Sequence, residues 1–585
     1  MRKSHRAATA LVSGGLALAL LQGVAPAAEP PVFTQPVQTT KADLDPGRLY
    51  SSPSFAIDPS NPKRMVAGFA DLRTRRCGVV RTTDGGNTWT RPDASPGTAD
   101  YPFCSQSQGG VIQAPMAFGG GNTVYMAVNG WGAEEAARAG GAVMVARSTD
   151  LGDSWETVVV RTSRGKTGED AENLRPIQSI AVDRKNGTND VVYIMFAMTR
   201  PGLTGANAVP AQPMVAVSRD GGRTFDGGNS LVGDLFESQA IRDQARSAAT
   251  TTTLAPNATT TSTTTPPAGS RAATPDQAAN FGSAGSRNGM IVRVDGRGNA
   301  YATWPTGAAH QNPNPPGGLA LSKSTDGGQT WTTQLAIPFS YENATGGPAG
   351  SYPQMGVTRE GSIHIVYNRN PTPELVGHSE VYHRASYDGG ATWTEARNLT
   401  DDDPSIYAGQ YFPNINIAPN GRIDVVWWDT RETPGMRSND VFYTYSTDDG
   451  RTWSANQRVT DRTVDRRLGI WGLNYDIASA PGVGSANEYA VFGWDDTRNS
   501  DPAVADNAYL GGGLQDLYIA AAQFEPLGGG ASKTAKIILA GTIGLLAVGL
   551  VLVLASMVTR KSSPAPTGGK AAKATDTKKA PAKTS

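Results

Sequence analysis

Between residues 32 and 525 the chain alternates apolar and polar positions in short runs, each closed by Gly, Pro, Asn or Asp. That period of two predicts β-strands joined by turns. One stretch shows the unit. Phe412 to Ile417 reads as a first strand, turned by Ala418-Pro419-Asn420-Gly421 into a second, Ile423 to Trp428. A third strand, Asp440 to Tyr445, runs into a polar hairpin, and a fourth begins at Trp453. Helical periodicity is confined to the two ends.

The hairpin before the fourth strand recurs six times, with its Asp at Asp84, Asp150, Asp220, Asp326, Asp388 and Asp448. Each copy has Gly two positions beyond the Asp and Thr or Ser before a Trp or Phe, as in Thr325-Asp326-Gly327-Gly328-Gln329-Thr330-Trp331. Asp bonds the backbone amides of its own turn, Gly takes positive φ, and the aromatic residue starts the returning strand. The intervals are 66, 70, 106, 62 and 60 residues. The long one holds a Thr/Ala/Pro tract, and residues 240–285 are expected to be a disordered insertion.

Four antiparallel strands per repeat describe the blade of a β-propeller. A seventh repeat without the hairpin box follows the sixth: Tyr475 to Ala478, Glu488 to Trp494 and Leu517 to Ala522. It lacks a fourth strand, and Val32 to Gln38 is expected to supply it and close the ring. The expectation is an all-β, seven-bladed propeller over residues 32–525, with six blades as the alternative.

The ends read differently. Residues 1–27, with Arg2, Lys3 and Arg6 before an apolar run and Ala25-Pro26-Ala27 after it, have the form of a secretory signal. After a linker at 526–536, Ile537 to Val558 is uncharged and long enough to span a bilayer as a helix. Arg560 and Lys561 follow, so the basic tail 559–585 is expected in the cytoplasm and the propeller outside. A single-pass protein of the cell membrane results.

Net charge is zero over the chain, yet residues 28–558 carry 42 basic and 51 acidic residues. An acidic ectodomain argues against nucleic acid as a partner. Cys77 and Cys104 are the two cysteines, and an even count in an exported segment favours a disulfide. No Cys/His grouping has metal-ligand spacing, so neither a metal nor another cofactor is expected.

The boxes join strands three and four, so the loops between strands two and three emerge at the opposite end, around the channel. There Asp71-Leu72-Arg73, Asp429-Thr430-Arg431 and Asp496-Thr497-Arg498 recur, with Thr199-Arg200 and Asn368-Arg369 in equivalent places. Arginines there suit bidentate capture of a carboxylate, and the aspartates suit acid-base work. The same pattern also suits salt bridges between blades. Asp401-Asp402-Asp403 reads as a solvated loop.

The six boxes resemble those of the sialidase (neuraminidase) superfamily, and the resemblance covers nearly the whole ectodomain. It implies retaining cleavage of terminal sialic acids: three arginines on the sugar carboxylate, a tyrosine nucleophile helped by a glutamate, and an aspartate acid/base. Tyr50-Ser51-Ser52-Pro53 lies where the family has Phe/Tyr-Arg-Ile-Pro, so Ser51 replaces the first arginine. Ala70-Asp71-Leu72-Arg73 resembles the family's Ala-Glu-x-Arg. Tyr475, in Gly472-Leu473-Asn474-Tyr475-Asp476, has the late position of the nucleophile. The candidate catalytic set is therefore Tyr475, Asp71, Asp429 and Asp496, with Arg48, Arg73, Arg431 and Arg498 binding substrate. Two functions follow: a membrane-anchored extracellular glycoside hydrolase acting on terminal sugars of surface glycans, or a non-catalytic propeller binding a glycan or protein.

Overall fold

The computed structural model describes residues 30–45, 47–104, 114–132, 141–163, 173–185, 189–199, 211–232, 290–306, 318–338, 353–369, 379–403, 406, 408–433, 438–469, 480–501, 503 and 514–524. The expected signal, the 240–285 insertion, the linker, the membrane span and the tail lie outside these residues. Among the described residues no helix is long and apolar enough to cross a membrane.

Seven antiparallel sheets form the blades. From the inside outward, the first is Tyr50–Ile57, Met65–Asp71 and Arg76–Thr82, with Thr90 bridged to Arg81 in the outermost place. The second is Met116–Phe118, Val124–Gly130, Ala142–Ser148 and Glu156–Thr162, and the third Asn173–Asp183, Val191–Thr199, Gln212–Ser218 and Asn229–Ser230. Ile291–Val294, Ala300–Thr306, Gly318–Ser324 and Thr332–Pro338 make the fourth; Gln354–Val357, Ile363–Arg369, Glu380–Ser386 and Arg397–Asn398 the fifth. The sixth is Gln410–Ile417, Ile423–Asp429, Ser438–Ser446 and Gln457–Arg458. The seventh is Gly482–Ser485, Tyr489–Asp496 and Asp516–Gln523, completed by Val32–Phe33 and Val37–Gln38. Val32 pairs with Gln523 and Val37 with Ile519, so the N-terminal segment closes the ring as the sequence pattern required.

Second and third strands are covered on both faces by neighbouring blades, which explains their near-continuous apolar runs. Every residue of Val124–Gly130, Gln212–Ser218 and Ile423–Asp429 is buried. Trp304, Trp427, Trp428 and Trp494 are fully buried between blades.

The inner strands obey a rule of their own. Pro53, Pro115, Pro176, Pro353, Pro413 and Pro481 stand in or directly before the innermost strand of six blades. An inner strand has one edge facing the channel, where a missing N–H leaves no ladder bond unmade. Bulges accompany three of these prolines, between Ser51 and Ser54, Arg175 and Ser179, and Tyr411 and Asn414. Ser52 and Phe412, each just before its proline, take left-handed φ of 63° and 53°.

The bonds among the Ser or Thr, the Asp and the Gly of the box repeat in all six copies, and four copies add a bond from the Trp. In the fourth, Ser324 Oγ donates to Asp326 Oδ1 (2.8 Å) and accepts from the Gly328 amide (2.9 Å). Asp326 also accepts from the Thr330 amide (3.0 Å) and hydroxyl (2.5 Å), and Trp331 Nε1 donates to the Gly328 carbonyl (3.3 Å). The second glycine has two duties. It sits at positive φ, 78° at Gly328, and lies against the preceding blade, where an added Cβ would stand 2.9 Å from Tyr193. Gly152, Gly222, Gly390 and Gly450 meet Val79, Tyr125, Leu321 and His383 of their preceding blades in the same way. The boxes thus fasten blade to blade at the end away from the Asp-x-Arg loops.

These bonds set an acid limit on the fold. At Asp388 the Thr392 hydroxyl and amide hold the carboxyl down to about 2. At Asp150, Asp220 and Asp326 slight burial pulls upward, but the same hydroxyl and amide bonds prevail and each also lies at about 2. A native value below that of the unfolded chain gives stability that is complete above about pH 4 and is lost as pH falls toward about 2. A melting series in that range should be flat above the window and fall steeply within it; a flat profile down to pH 2 would contradict the assignment.

Cys77 and Cys104 are joined, with Cα atoms 5.7 Å apart across 27 residues of sequence. The bond ties the third strand of the first blade to the segment leading into the second. Cys104→Ser is expected to lower unfolding free energy by about 3 kcal/mol through the loop it no longer closes, read in urea titrations.

Candidate functional site

The loops after the second strands hold the three Asp-x-Arg motifs, and each is a closed clasp. In the sixth blade Asp429 is fully buried at the end of its strand. Its carboxylate accepts from Trp427 Nε1 (2.9 Å), Arg431 Nε (2.9 Å) and the Arg431 amide (2.8 Å). Burial pushes the Asp429 carboxyl up against the pull of Arg431. The guanidinium stacks over Phe442, 4.4 Å from the ring centre, and reaches Asp401 Oδ1 at 2.8 Å. Asp401 follows the outermost strand of the fifth blade. The run Asp401-Asp402-Asp403, expected as a solvated loop, therefore gives its first carboxylate to an inter-blade bond.

The seventh blade repeats the device. Asp496 accepts from Trp494 Nε1 (2.9 Å) and Arg498 Nη2 (2.7 Å); Arg498 stacks on Tyr518 and reaches Asp461, just beyond the outer strand of the sixth blade, at 2.7 Å. In the first blade Arg73 bonds Asp71 (3.0 Å), Asp43 (3.1 Å) and Asp45 (2.7 Å), the last two directly after the ring-closing strand. Phe69 stands where the other two blades have Trp, and Arg91 lies 3.9 Å from Asp71. Each arginine grips its own blade and the one before it. In the fifth blade, among the described residues, Arg369 shows only the stacking half of the device, over Tyr382.

The remaining sequence-derived positions divide as follows. Arg48 forms a two-point ion pair with the buried Asp516 (2.6 and 3.0 Å), tying the start of the first blade to the seventh. Ser51 is buried, and its hydroxyl donates to Asp495 Oδ2 (2.8 Å), which Gln515 also meets. Where the family resemblance places a substrate-facing arginine, this chain has a hydroxyl bonded across the first and seventh blades. Tyr475 and Arg200 lie outside the described residues. The structure does not bring Asp71, Asp429 and Asp496 together; each remains in its own blade's clasp.

Two features went unread in the sequence. At the box end, His364 and His383 are buried between the fifth and sixth blades, their rings bonded at 3.1 Å, with His364 Nε2 3.0 Å from Asp449. Burial pushes His383 well below the ordinary histidine value. Among the described residues no group of His, Cys, Asp and Glu is arranged to hold a metal ion. The second is the size and wall of the expected channel, a cavity of about 270 Å³ lined by all seven inner strands. The inner-strand prolines were the available signal for it.

The family described as "BNR repeat-containing family member" matches residues 324–467, the span of the last three boxes. A sialidase from Bacteroides fragilis is 24% identical over 173 residues, covering 26% of this chain and 31% of its own length. The match thus spans about a third of that relative. Among solved structures, a phage phi92 endosialidase is 10% identical, with 86% of this chain and 70% of its own covered at a TM-score of 0.39. A GH74 xyloglucanase from Xanthomonas campestris is 16% identical, with 80% and 54% covered at a TM-score of 0.39. With six boxes in register on a closed seven-bladed ring and a BNR-repeat family matched over residues 324–467, the chain is similar to the sialidase-like, BNR-repeat β-propellers.

Proposed function

We propose that this chain is a glycan-directed propeller displayed at the cell surface, and that it recognises its glycan without sialidase chemistry at the Asp-x-Arg positions. One observation carries the reading: the three aspartates are occupied by their own arginines, and those arginines by carboxylates of the preceding blade. A guanidinium already held by two carboxylates has no free fork for a sugar acid. Ser51, bonded to Asp495, supports the same conclusion. Glycan as the partner is supported by the BNR-repeat match over residues 324–467 and by the sialidase relative. Display outside the cell, through a helix at Ile537–Val558, is supported by the apolar length of that segment and by the Arg560-Lys561 pair after it.

The hydrolase reading keeps one specific support, the late Tyr475 in the position of the family's nucleophile. A panel of fluorogenic sialosides and neutral glycosides separates the two. The expected outcome is no fluorophore release above the blank, together with saturable binding on a glycan array that survives Asp429→Asn. Release that disappears in Tyr475→Phe would establish the hydrolase instead.

A further inference from the structure

In the first blade the place of the fourth strand holds a single bridge, in which Thr90 and Arg81 exchange backbone bonds of 2.9 and 2.8 Å. Pro92 has no N–H with which to continue that ladder. Among the described residues Arg91 to Ser95 make no further backbone bond to Arg76–Thr82. The segment is tied back only at its far end, where Ser95 Oγ donates to the Cys77 carbonyl (2.7 Å). Between the bridge and the tie lies a second cavity, of about 190 Å³, at the Asp-x-Arg end of the blade. Its wall shares no residue with that of the channel.

Arg73, Arg76, Arg91, Asp71 and Asp93 all line this cavity. Arg73 and Asp71 are already engaged in the first blade's clasp. Arg91 is positioned by aromatic residues: its Nη1 donates to the Tyr50 hydroxyl, and its guanidinium lies 5.1 Å from the Tyr50 ring centre and 5.2 Å from that of Phe69. The nearest carboxylates to it, Asp43 and Asp71, stand at 3.7 and 3.9 Å. Arg76 and Asp93 are both exposed, and neither side chain makes a hydrogen bond or ion pair among the described residues. Arg76 reaches only the Phe103 ring, at 5.9 Å. The cavity thus carries a donor and an acceptor that the fold itself does not use.

A wall of three cations and two anions gives little net pull on a strongly charged ligand. It suits an uncharged one that both donates and accepts. Guanidinium groups only donate and an ionised carboxylate only accepts, whereas a hydroxyl does both. Two adjacent hydroxyls on a sugar ring can therefore answer Asp93 and the arginines together, through charge-assisted bonds. Pro92 and Ala94, on the same wall, offer apolar surface to the C–H face of such a ring. The volume falls below the roughly 300 Å³ at which drug-sized pockets begin, so it fits one ring and not a chain. We propose that this outer cavity of the first blade is a subsite for a single uncharged sugar residue, held through adjacent hydroxyls by Arg76, Arg91 and Asp93. The inference rests on the glycan reading and deepens it, placing recognition on the rim of the first blade, outside the channel.

The full-length protein and the variants Asp93→Asn, Arg76→Gln and Ala94→Trp are compared on an array of neutral and acidic glycans. Saturation-transfer NMR with the methyl glycosides of glucose, galactose and mannose is run beside it. The expected result is saturable binding of at least one of these neutral glycosides by the wild type. Asp93→Asn and Arg76→Gln should each weaken it about tenfold, since each loses a charged hydrogen bond. Ala94→Trp fills the cavity and should abolish it. Asp93 and Arg76 hold no partner in the fold, so both variants should melt with the wild type, which separates lost binding from lost folding. Array binding that is unchanged in Asp93→Asn and Ala94→Trp would leave the glycan reading standing and overturn this subsite. Binding confined to acidic glycans would overturn the uncharged ligand. No binding to any glycan by the wild type would overturn both. If Ala94→Trp does not fold, Asp93→Asn decides alone.

Discussion

A chain that begins at Lys41 should lose cooperative folding and run as aggregate on size exclusion. Such a truncation removes the two short strands that pair with Asp516–Gln523, with Val32 opposite Gln523 and Val37 opposite Ile519. It also removes the Thr34 amide bond to Ala521 (2.8 Å), the Thr39 amide bond to Leu517 (3.0 Å) and the Thr40 hydroxyl on Asp516 (2.9 Å). Phe33, packed on Tyr443 and Phe492 at 6.2 Å each, leaves with them. What remains is Leu517-Tyr518-Ile519-Ala520-Ala521-Ala522 as a bare strand edge, a template for pairing with another copy. In a closed ring the seventh blade also holds the first, so an open seventh blade exposes that interface too. Phe33→Ala is the graded control; it keeps the strand pairing and is expected to cost about 2–3 kcal/mol, since the ring is half-buried. A truncated chain that melts as one transition at the wild-type temperature would show that closure contributes little.

Arg422→Met should destabilise the propeller by at least about 5 kcal/mol. Arg422 and Asp424 are both fully buried and joined at two points (2.9 and 3.0 Å). The guanidinium also donates to the carbonyls of Ala486 (2.8 Å), Asn487 (2.9 Å) and Tyr489 (2.9 Å) on the seventh blade, and lies 3.9 Å from the centre of the Phe524 ring. Burial pulls its pKa down, but Asp424 more than offsets this and the value lies above the ordinary one. Methionine fills most of the volume and none of the bonds, leaving Asp424 with Tyr443 (2.6 Å) as its remaining bonded partner. Much of the loss should return in Arg422→Met with Asp424→Leu, because the unpaired buried charge is then gone. Urea titration of the three proteins tests this; a single variant within about 1 kcal/mol of wild type would refute the clamp.

The repeat chemistry was legible because it is local. The Asp-box bonds span two to four residues, so Asp326, Gly328 and Thr330 carry their own turn in their spacing. The closing strand was legible because Val32 to Gln38 is an apolar-polar run next to a blade that lacks one. The Asp-x-Arg motifs were visible but their purpose was not. Arg431 meets Asp401 across 30 residues and Arg498 meets Asp461 across 37, and no periodicity links the members of those pairs. Ser51 is harder still: its partner, Asp495, is 444 residues away.

By itself the sequence determined the blade and pointed to seven of them and to the way the ring closes, since strand period, turn chemistry and repeat length are properties of adjacent residues; the structure settled seven over six. Only the tertiary structure decided which charges are already matched. Whether Arg431 is free to take a ligand depends on a carboxylate from the preceding blade. Charge compensation in a ring is set by neighbours in space, and in a propeller those neighbours come from other repeats.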